Sequence, residues 1–339
     1  MEGKAATFNQ IGKLKLLQGN IDEALVLHLK SLEICRTNDL FRSEAAALHA
    51  IAIIHDRQGK FSQALSFYQQ SLAIKESIGD EMGQDATLHC IAGIYLQQGK
   101  LQQALSFYQQ SLEIQDRIGN AKGKAATSYE IAGIYAQQGH IEKALSFCQK
   151  SLEITDRIDD IQGKATALAL IGTICYDQGR IEDGLEFSIQ AKEYFDEIGD
   201  LRGQSAVIHN IATIYAKQGK LDQVLMLYQE SIKIDEQIDN IQGKAATLHC
   251  MAIIYTQQGK LVQAINLFKQ SLEIKERIGG DIHGKAITLW WLGGLASDQR
   301  DFQTAISYLQ ESLTILQHLK SPDAATVQSL LEEVRAMAG

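Results

Sequence analysis

The sequence predicts an all-α chain in which one helical hairpin is repeated about eight times and closed by a further helix. Three observations carry that expectation. Gly19, Gly59, Gly99, Gly139, Gly179, Gly219 and Gly259 follow one another at intervals of 40 residues. Between them apolar side chains recur at i, i+3, i+4 and i+7, as in Leu88, Ile91, Ala92 and Tyr95 and again in Leu101, Ala104, Leu105 and Tyr108, which is helical spacing. The 339 residues also hold 27 glycines and one proline. That composition suits helices joined by glycine turns, because proline inside a helix costs about 3 kcal/mol and glycine is favoured just past a helix end.

In chain order the units are about 1–40, 41–80, 81–120, 121–160, 161–200, 201–240, 241–280 and 281–320. In the third, helix A is expected over Glu81 to Gln97 and helix B over Leu101 to Ile118, with the loop Gly119 to Gly123 leading to the next unit. Small residues recur where the two helices must approach: Ala52, Ala92, Ala132 and Gly172 in helix A, Ala64, Ala104, Ala144 and Gly184 in helix B. The fifth unit departs most, with Cys175 for a tyrosine, Gly184 for alanine and Lys192 for an aliphatic residue; ordinary drift and a local bend both account for that. The eighth has Arg300 in the glycine register, one residue late because of the extra glycine in Gly279-Gly280. Residues 321–339 read as a capping helix, with Ser321 as N-cap, Pro322 at the first helical position and an apolar stripe of Val327, Leu330, Leu331, Val334 and Met337. The first unit has no matching cap, which leaves Phe8, Ile11 and Leu14 for self-association. Gly3 to Thr7 duplicates Gly123 to Thr127, as in a chain cut from a longer array.

Composition excludes several classes. With 45% hydrophobic and 22% charged residues, the chain has enough apolar surface to offset the entropy of ordering. Its 41 acidic against 32 basic residues give a net charge of -9, a poor match to nucleic acid or an anionic membrane. No apolar run approaches about 18 residues and the N-terminus lacks signal-peptide regions, so a soluble, cytoplasmic protein is expected. Cys35, Cys90, Cys148, Cys175 and Cys250 form no CxxC pair and read as reduced, packed side chains. The string Gly279-x4-Gly284-Lys285 imitates a phosphate loop, but a helix precedes it and Ala286 follows where Ser or Thr is needed. No HExxH or GxSxG occurs, and neither catalysis nor a cofactor is expected.

The pattern Leu88-x2-Ile91-Ala92-x2-Tyr95-x3-Gly99-x4-Ala104-x3-Tyr108 resembles the tetratricopeptide repeat. Two departures are serine at the small position after the Tyr108 equivalent, as in Ser71, Ser111 and Ser151, and a missing helix-ending proline. The longer unit is similar to repeats of kinesin light chains, Leu-Gly-Asn repeat spindle adaptors and bacterial signalling arrays. The resemblance implies a right-handed superhelical α-solenoid whose A helices line a concave groove for a peptide or protein segment. It equally accommodates a sensory array that takes a small signal peptide or metabolite and whose effector lies outside this chain. Groove positions carried over on that basis are His49, Arg57, His89, Gln97, Tyr129, Gln137, Tyr176, Asp177, His209, Asn210, Lys217, His249, Gln257 and Trp290. The family's basic clamp for a terminal carboxylate does not carry over, since its Lys and Asn positions hold His, Ile, Gly or Thr here.

Four of these positions are histidines in one register. Metal binding is opposed by geometry, because helices packed about 8–10 Å apart cannot bring equivalent side chains to one ion. Two readings stay open: imidazoles packed or hydrogen-bonded between neighbouring A helices, or a ladder that contacts an extended partner and would make binding pH-dependent when protonated. The two tryptophans likewise divide, with Trp291 expected to cover the junction with the capping helix and Trp290 to anchor a partner or pack.

Overall fold

The computed structural model describes residues 1–279 and 281–339; Gly280, the extra glycine of the eighth unit, lies outside the described residues. Among the described residues are seventeen α-helices: α1 (Glu2–Leu17), α2 (Ile21–Thr37), α3 (Phe41–Arg57), α4 (Phe61–Ser77), α5 (Glu81–Gln97), α6 (Leu101–Ile118), α7 (Ala121–Gln137), α8 (Ile141–Arg157), α9 (Ile161–Asp177), α10 (Ile181–Ile198), α11 (Leu201–Lys217), α12 (Leu221–Gln237), α13 (Ile241–Gln257), α14 (Leu261–Ile278), α15 (Ile282–Asp298), α16 (Phe302–His318) and α17 (Asp323–Ala338). They fall into two compact units, Met1–Ala167 and Leu168–Gly339, divided within α9. None of the described helices is long and apolar enough to cross a membrane.

Each hairpin turn follows from glycine chemistry. At the end of α5, Gly99 has φ of 69°, its amide donates to the Leu96 carbonyl and the Lys100 amide donates to Tyr95. That pair of bonds is the Schellman motif, which needs a left-handed residue. Arg300 occupies this position in the eighth unit with φ of 62°, a conformation that costs a side-chain-bearing residue energy. The loops between hairpins use a different device. Asp80, Asn120, Asp200, Asn240 and Asp281 cap the following helix by accepting the amide of the glycine three residues on. A Cβ on Gly83 would press on the Asp80 carboxylate and the Lys75 stem, so these side chains would have to shift.

In the first unit α1 packs on α2, α3 on α4, α5 on α6 and α7 on α8, and each hairpin stacks on the next. In the second unit the hairpins α11–α12, α13–α14 and α15–α16 stack in the same way, and α17 covers α16. The architecture is therefore all-α, a solenoid of helical hairpins, and its core is a series of small clusters. In one, Ala52 and Ala64 let α3 and α4 approach while Tyr68 packs on Ile91 and Ile94 of α5. Ala92, Ala104 and Tyr108 repeat this with Ile131 and Ile134 of α7, as do Ala252, Ala264 and Phe268 with Leu292 and Leu295 of α15. Full burial of such a side chain contributes about 1.5–3 kcal/mol. Some buried serines bind backbone, as where Ser71 Oγ donates to the Ala45 carbonyl at 2.8 Å and Ser271 Oγ to Ala245 at 2.7 Å, whereas Ser111 Oγ donates to Asp85 Oδ1.

Three expectations need correction. α17 begins at Asp323, with Pro322 at the N-cap position and Ser321 Oγ accepting the Asp323 amide at 3.3 Å, so cap and proline stand one place earlier than read. Its buried stripe is Val327, Leu331 and Val334, with Leu330 half-buried against the same cluster, while Met337 in the last turn is exposed. Trp291 does not cover the α17 junction. It stacks on Phe268 with ring centroids 5.8 Å apart, and it is Trp290 that packs against the cluster formed by α15, α16 and α17. At the other end Ile11 and Leu14 are exposed.

Candidate functional site

Helix A carries the chemistry that varies between repeats. In the first unit His49, His89 and Tyr129 are half-buried on α3, α5 and α7, whereas Arg57, Gln97 and Gln137 are the exposed last residues of those helices. In the second unit Tyr176, His209, Asn210, His249 and Trp290 are half-buried and Asp177, Lys217 and Gln257 are exposed at helix ends.

The histidines are engaged within the array. His49 stands edge-on to Tyr68 and His89 to Tyr108, each with centroids 5.1 Å apart, and His249 holds Phe268 the same way. Their Nδ1 atoms face the next A helix: 3.1 Å from Thr87 Oγ1 for His49, 3.5 Å from Thr127 Oγ1 for His89, and 3.0 Å from Thr288 Oγ1 for His249. His209 Nε2 lies 3.7 Å from Cys250 Sγ, and Asn210 Nδ2 donates to Thr173 Oγ1 at 3.0 Å. Burial, then the neighbouring Lys75 or Lys275 ammonium, lowers His49 and His249 to about 4; burial also lowers His89 and His209, against the pull of Asp85 and Asp235. Neutral imidazoles bridging A helices fit the packed reading of the register. A protonated ladder near neutral pH does not survive these surroundings.

Two clefts open between neighbouring A helices, and the same register lines both. In the first unit a cavity of 290 Å³ between α7 and the start of α9 is lined by Lys122, Tyr129, Glu130, Asp160 and Thr166, among others. In the second unit a cavity of 290 Å³ is lined by Thr256 of α13 with Trp290, Trp291, Gly294, Leu295 and Asp298 of α15. Gly294 leaves it open, since a Cβ there would meet nothing within 4 Å. Tyr129-Glu130 and Trp290-Trp291 occupy equivalent places in their repeats. Elsewhere that pair reads Asn9-Gln10, His49-Ala50, His89-Cys90, Ala169-Leu170, His209-Asn210 and His249-Cys250.

Sequence reasoning missed Glu130 and the cleft-lining role of Trp291. The available signal was the register itself, in which Glu130 is the one carboxylate. A wider cavity of 510 Å³ between α6, α7 and α8 also escaped it, but its lining includes the Lys124–Asp116 ion pair. The equivalents Lys164–Asp156 at 2.6 Å, Lys244–Glu236 at 2.6 Å and Lys285–Glu276 at 3.0 Å recur in other loops, so this pair belongs to the repeat. Where a phosphate loop was considered, Asp281 Oδ1 accepts the Gly284 amide at 2.8 Å. A phosphate would have to displace that carboxylate.

The sequence profile described as tetratricopeptide repeat matches residues 3–77, 84–157, 163–237 and 243–318. The chain belongs to the tetratricopeptide repeat family. No curated protein matches it. Solved tetratricopeptide-like structures share the fold at low identity. The apo form of the quorum sensor NprR from B. thuringiensis superposes with a TM-score of 0.70 at 14% identity, over 92% of this chain and 87% of that one. A signal transduction ATPase with a tetratricopeptide repeat sensor from Pyrococcus horikoshii gives 0.67 at 16%, over 93% of this chain and 50% of that one. A Rap protein complexed with competence and sporulation factor gives 0.60 at 15%, over 99% of each chain.

Proposed function

We propose that this tetratricopeptide repeat protein is a non-enzymatic interaction scaffold that takes an extended peptide or protein segment along its A-helix face. The observation that carries the reading is the Trp290–Trp291 cleft, 290 Å³ in volume and lined largely by apolar side chains. Aromatic side chains that are half-buried and face an open cleft are the kind that dominate binding energy. Four repeats keep a packed histidine in this register, whereas Tyr129 and Trp290 replace it where the two clefts open, as expected if those places read a partner. The scaffold works by position: within each compact unit hairpin packing holds the A helices in place, and this register is presented at a fixed spacing there. Selection of a random peptide library on the intact chain tests it. Enrichment of peptides whose binding falls at least about tenfold in Trp290→Ala supports the reading; enrichment indifferent to Trp290, or none, overturns it.

A second reading is a sensory array whose segment is a small signal peptide. It is favoured by the likeness to the quorum sensor NprR and to the Rap protein solved with competence and sporulation factor. An effector domain in the same reading frame would separate it from an adaptor. The exposed Ile11 and Leu14 of α1 further support association through the first hairpin, which light scattering across concentration would reveal.

A further inference from the structure

We propose that the cleft between α7 and the first turn of α9 receives one cationic side chain, a lysine or arginine of the bound segment, on the carboxylate of Glu130. The inference rests on the A-helix face being the binding surface and names the chemistry of one place on it.

Glu130 is half-buried and lines the cavity, and no hydrogen bond or ion pair holds its carboxylate among the described residues. A carboxylate partly withdrawn from water is destabilised, and burial accordingly raises its pKa. The cation nearest to hand is already used: Lys122 Nζ lies 3.5 Å from Asp160 Oδ2 and is largely exposed. Asp160 in turn accepts the Gly163 amide at 3.3 Å. An arriving ammonium or guanidinium would supply the missing partner in a charge-assisted bond, while the Tyr129 ring offers a wall for its alkyl stem. The volume of 290 Å³ is ample for such a side chain. Repeats with Ala50, Cys90 or Cys250 in this register offer no carboxylate, so the site belongs to the fourth repeat alone.

Proton and ligand compete for the same oxygen. Facing Glu130 are Tyr108 from α6, Tyr129 and Lys122 on α7, and Asp160 at the start of α9. Burial keeps both tyrosines protonated past the usual range. Binding is therefore expected to strengthen as pH rises through the titration of Glu130 and then level off.

The test is an NMR titration of the intact chain with acetyl-argininamide and with its neutral isostere acetyl-citrullinamide, read at the amides of Ala126, Tyr129 and Thr166. Saturable shifts with the arginine probe at about pH 7.5 are expected, at least about tenfold weaker with citrulline and in Glu130→Gln, and weaker at about pH 4.5 than at about pH 7.5. Equal affinity for the two probes in the unaltered chain, or no saturation, overturns the proposal without recourse to a variant. A chain that selects peptides through Trp290 yet gives no arginine shift here overturns this inference alone. One that binds the arginine probe and selects no peptide upholds it and overturns the broader reading.

Discussion

His49 Nδ1 lies 3.1 Å from Thr87 Oγ1, joining the A helix of one hairpin to that of the next. Lys75 Nζ meets the same hydroxyl at 2.7 Å and the Gly83 carbonyl at 3.1 Å. The seventh and eighth repeats rebuild the cluster with His249, Lys275 and Thr288. A buried ammonium, a neutral imidazole and a hydroxyl thus fix the register between hairpins that apolar contacts alone would leave free to slide.

The sign of the pH dependence follows. The imidazoles of His49 and His249 titrate at about 4 in the folded chain, below the ordinary value near 6.5. As pH falls below about 6.5 the unfolded chain takes up protons first, so stability is full above that value and is lost towards pH 4. The urea midpoint is expected to drop between about pH 7 and 4.5, and His49→Gln should remove about 1–2 kcal/mol of that drop after allowance for partial exposure. Histidine NMR should give neither residue a midpoint between about pH 5.5 and 8.

Asp80 caps α5 by accepting the Gly83 amide at 3.1 Å. Asp80→Ala should cost about 1 kcal/mol in urea unfolding. Asp80→Asn should cost less, because the amide oxygen of Asn120 and Asn240 does the same work in other repeats.

Gly184 on α10 brings backbones together, since a Cβ there would stand 2.9 Å from the Gly172 carbonyl of α9. Backbone cannot yield as a side-chain tip does. Gly184→Val should destabilise by about 1–3 kcal/mol or more and accelerate hydrogen exchange from Arg180 to Ile198, whereas Gly294→Ala, inside α15 with open space at its Cβ, should stabilise by about 0.5–1 kcal/mol and leave that exchange unchanged.

The tryptophans should separate stability from binding. Trp291 stacks on Phe268 and packs against the cluster around Leu292 and Leu295, so Trp291→Ala should lower the melting temperature and cost about 2–4 kcal/mol. Trp290 borders both the α17 cluster and the cleft, so Trp290→Phe should keep the fold while weakening selected peptides.

Much of this fold is legible because a repeat states its own rules eight times. The bounds Glu81–Gln97 and Leu101–Ile118 of α5 and α6 follow from the spacing of apolar residues and from Gly99. Less legible was what lies across a repeat boundary. His49 reads alike as a ligand-facing or a packed residue until Thr87 is found opposite it, 38 positions away. The partition of Trp290 and Trp291 depended on which side of α15 meets Phe268, a rotation that an insertion at Gly279-Gly280 makes hard to infer. Glu130 was overlooked because it breaks a pattern that the eye uses to find the pattern.

The most direct measurement of the central claim is a hydrogen-exchange footprint of the intact chain with a library-selected peptide. Protection confined to A helices, with α13 and α15 around Thr256 and Trp290 protected most, is the predicted result. Protection on B helices with the A helices unchanged would contradict it.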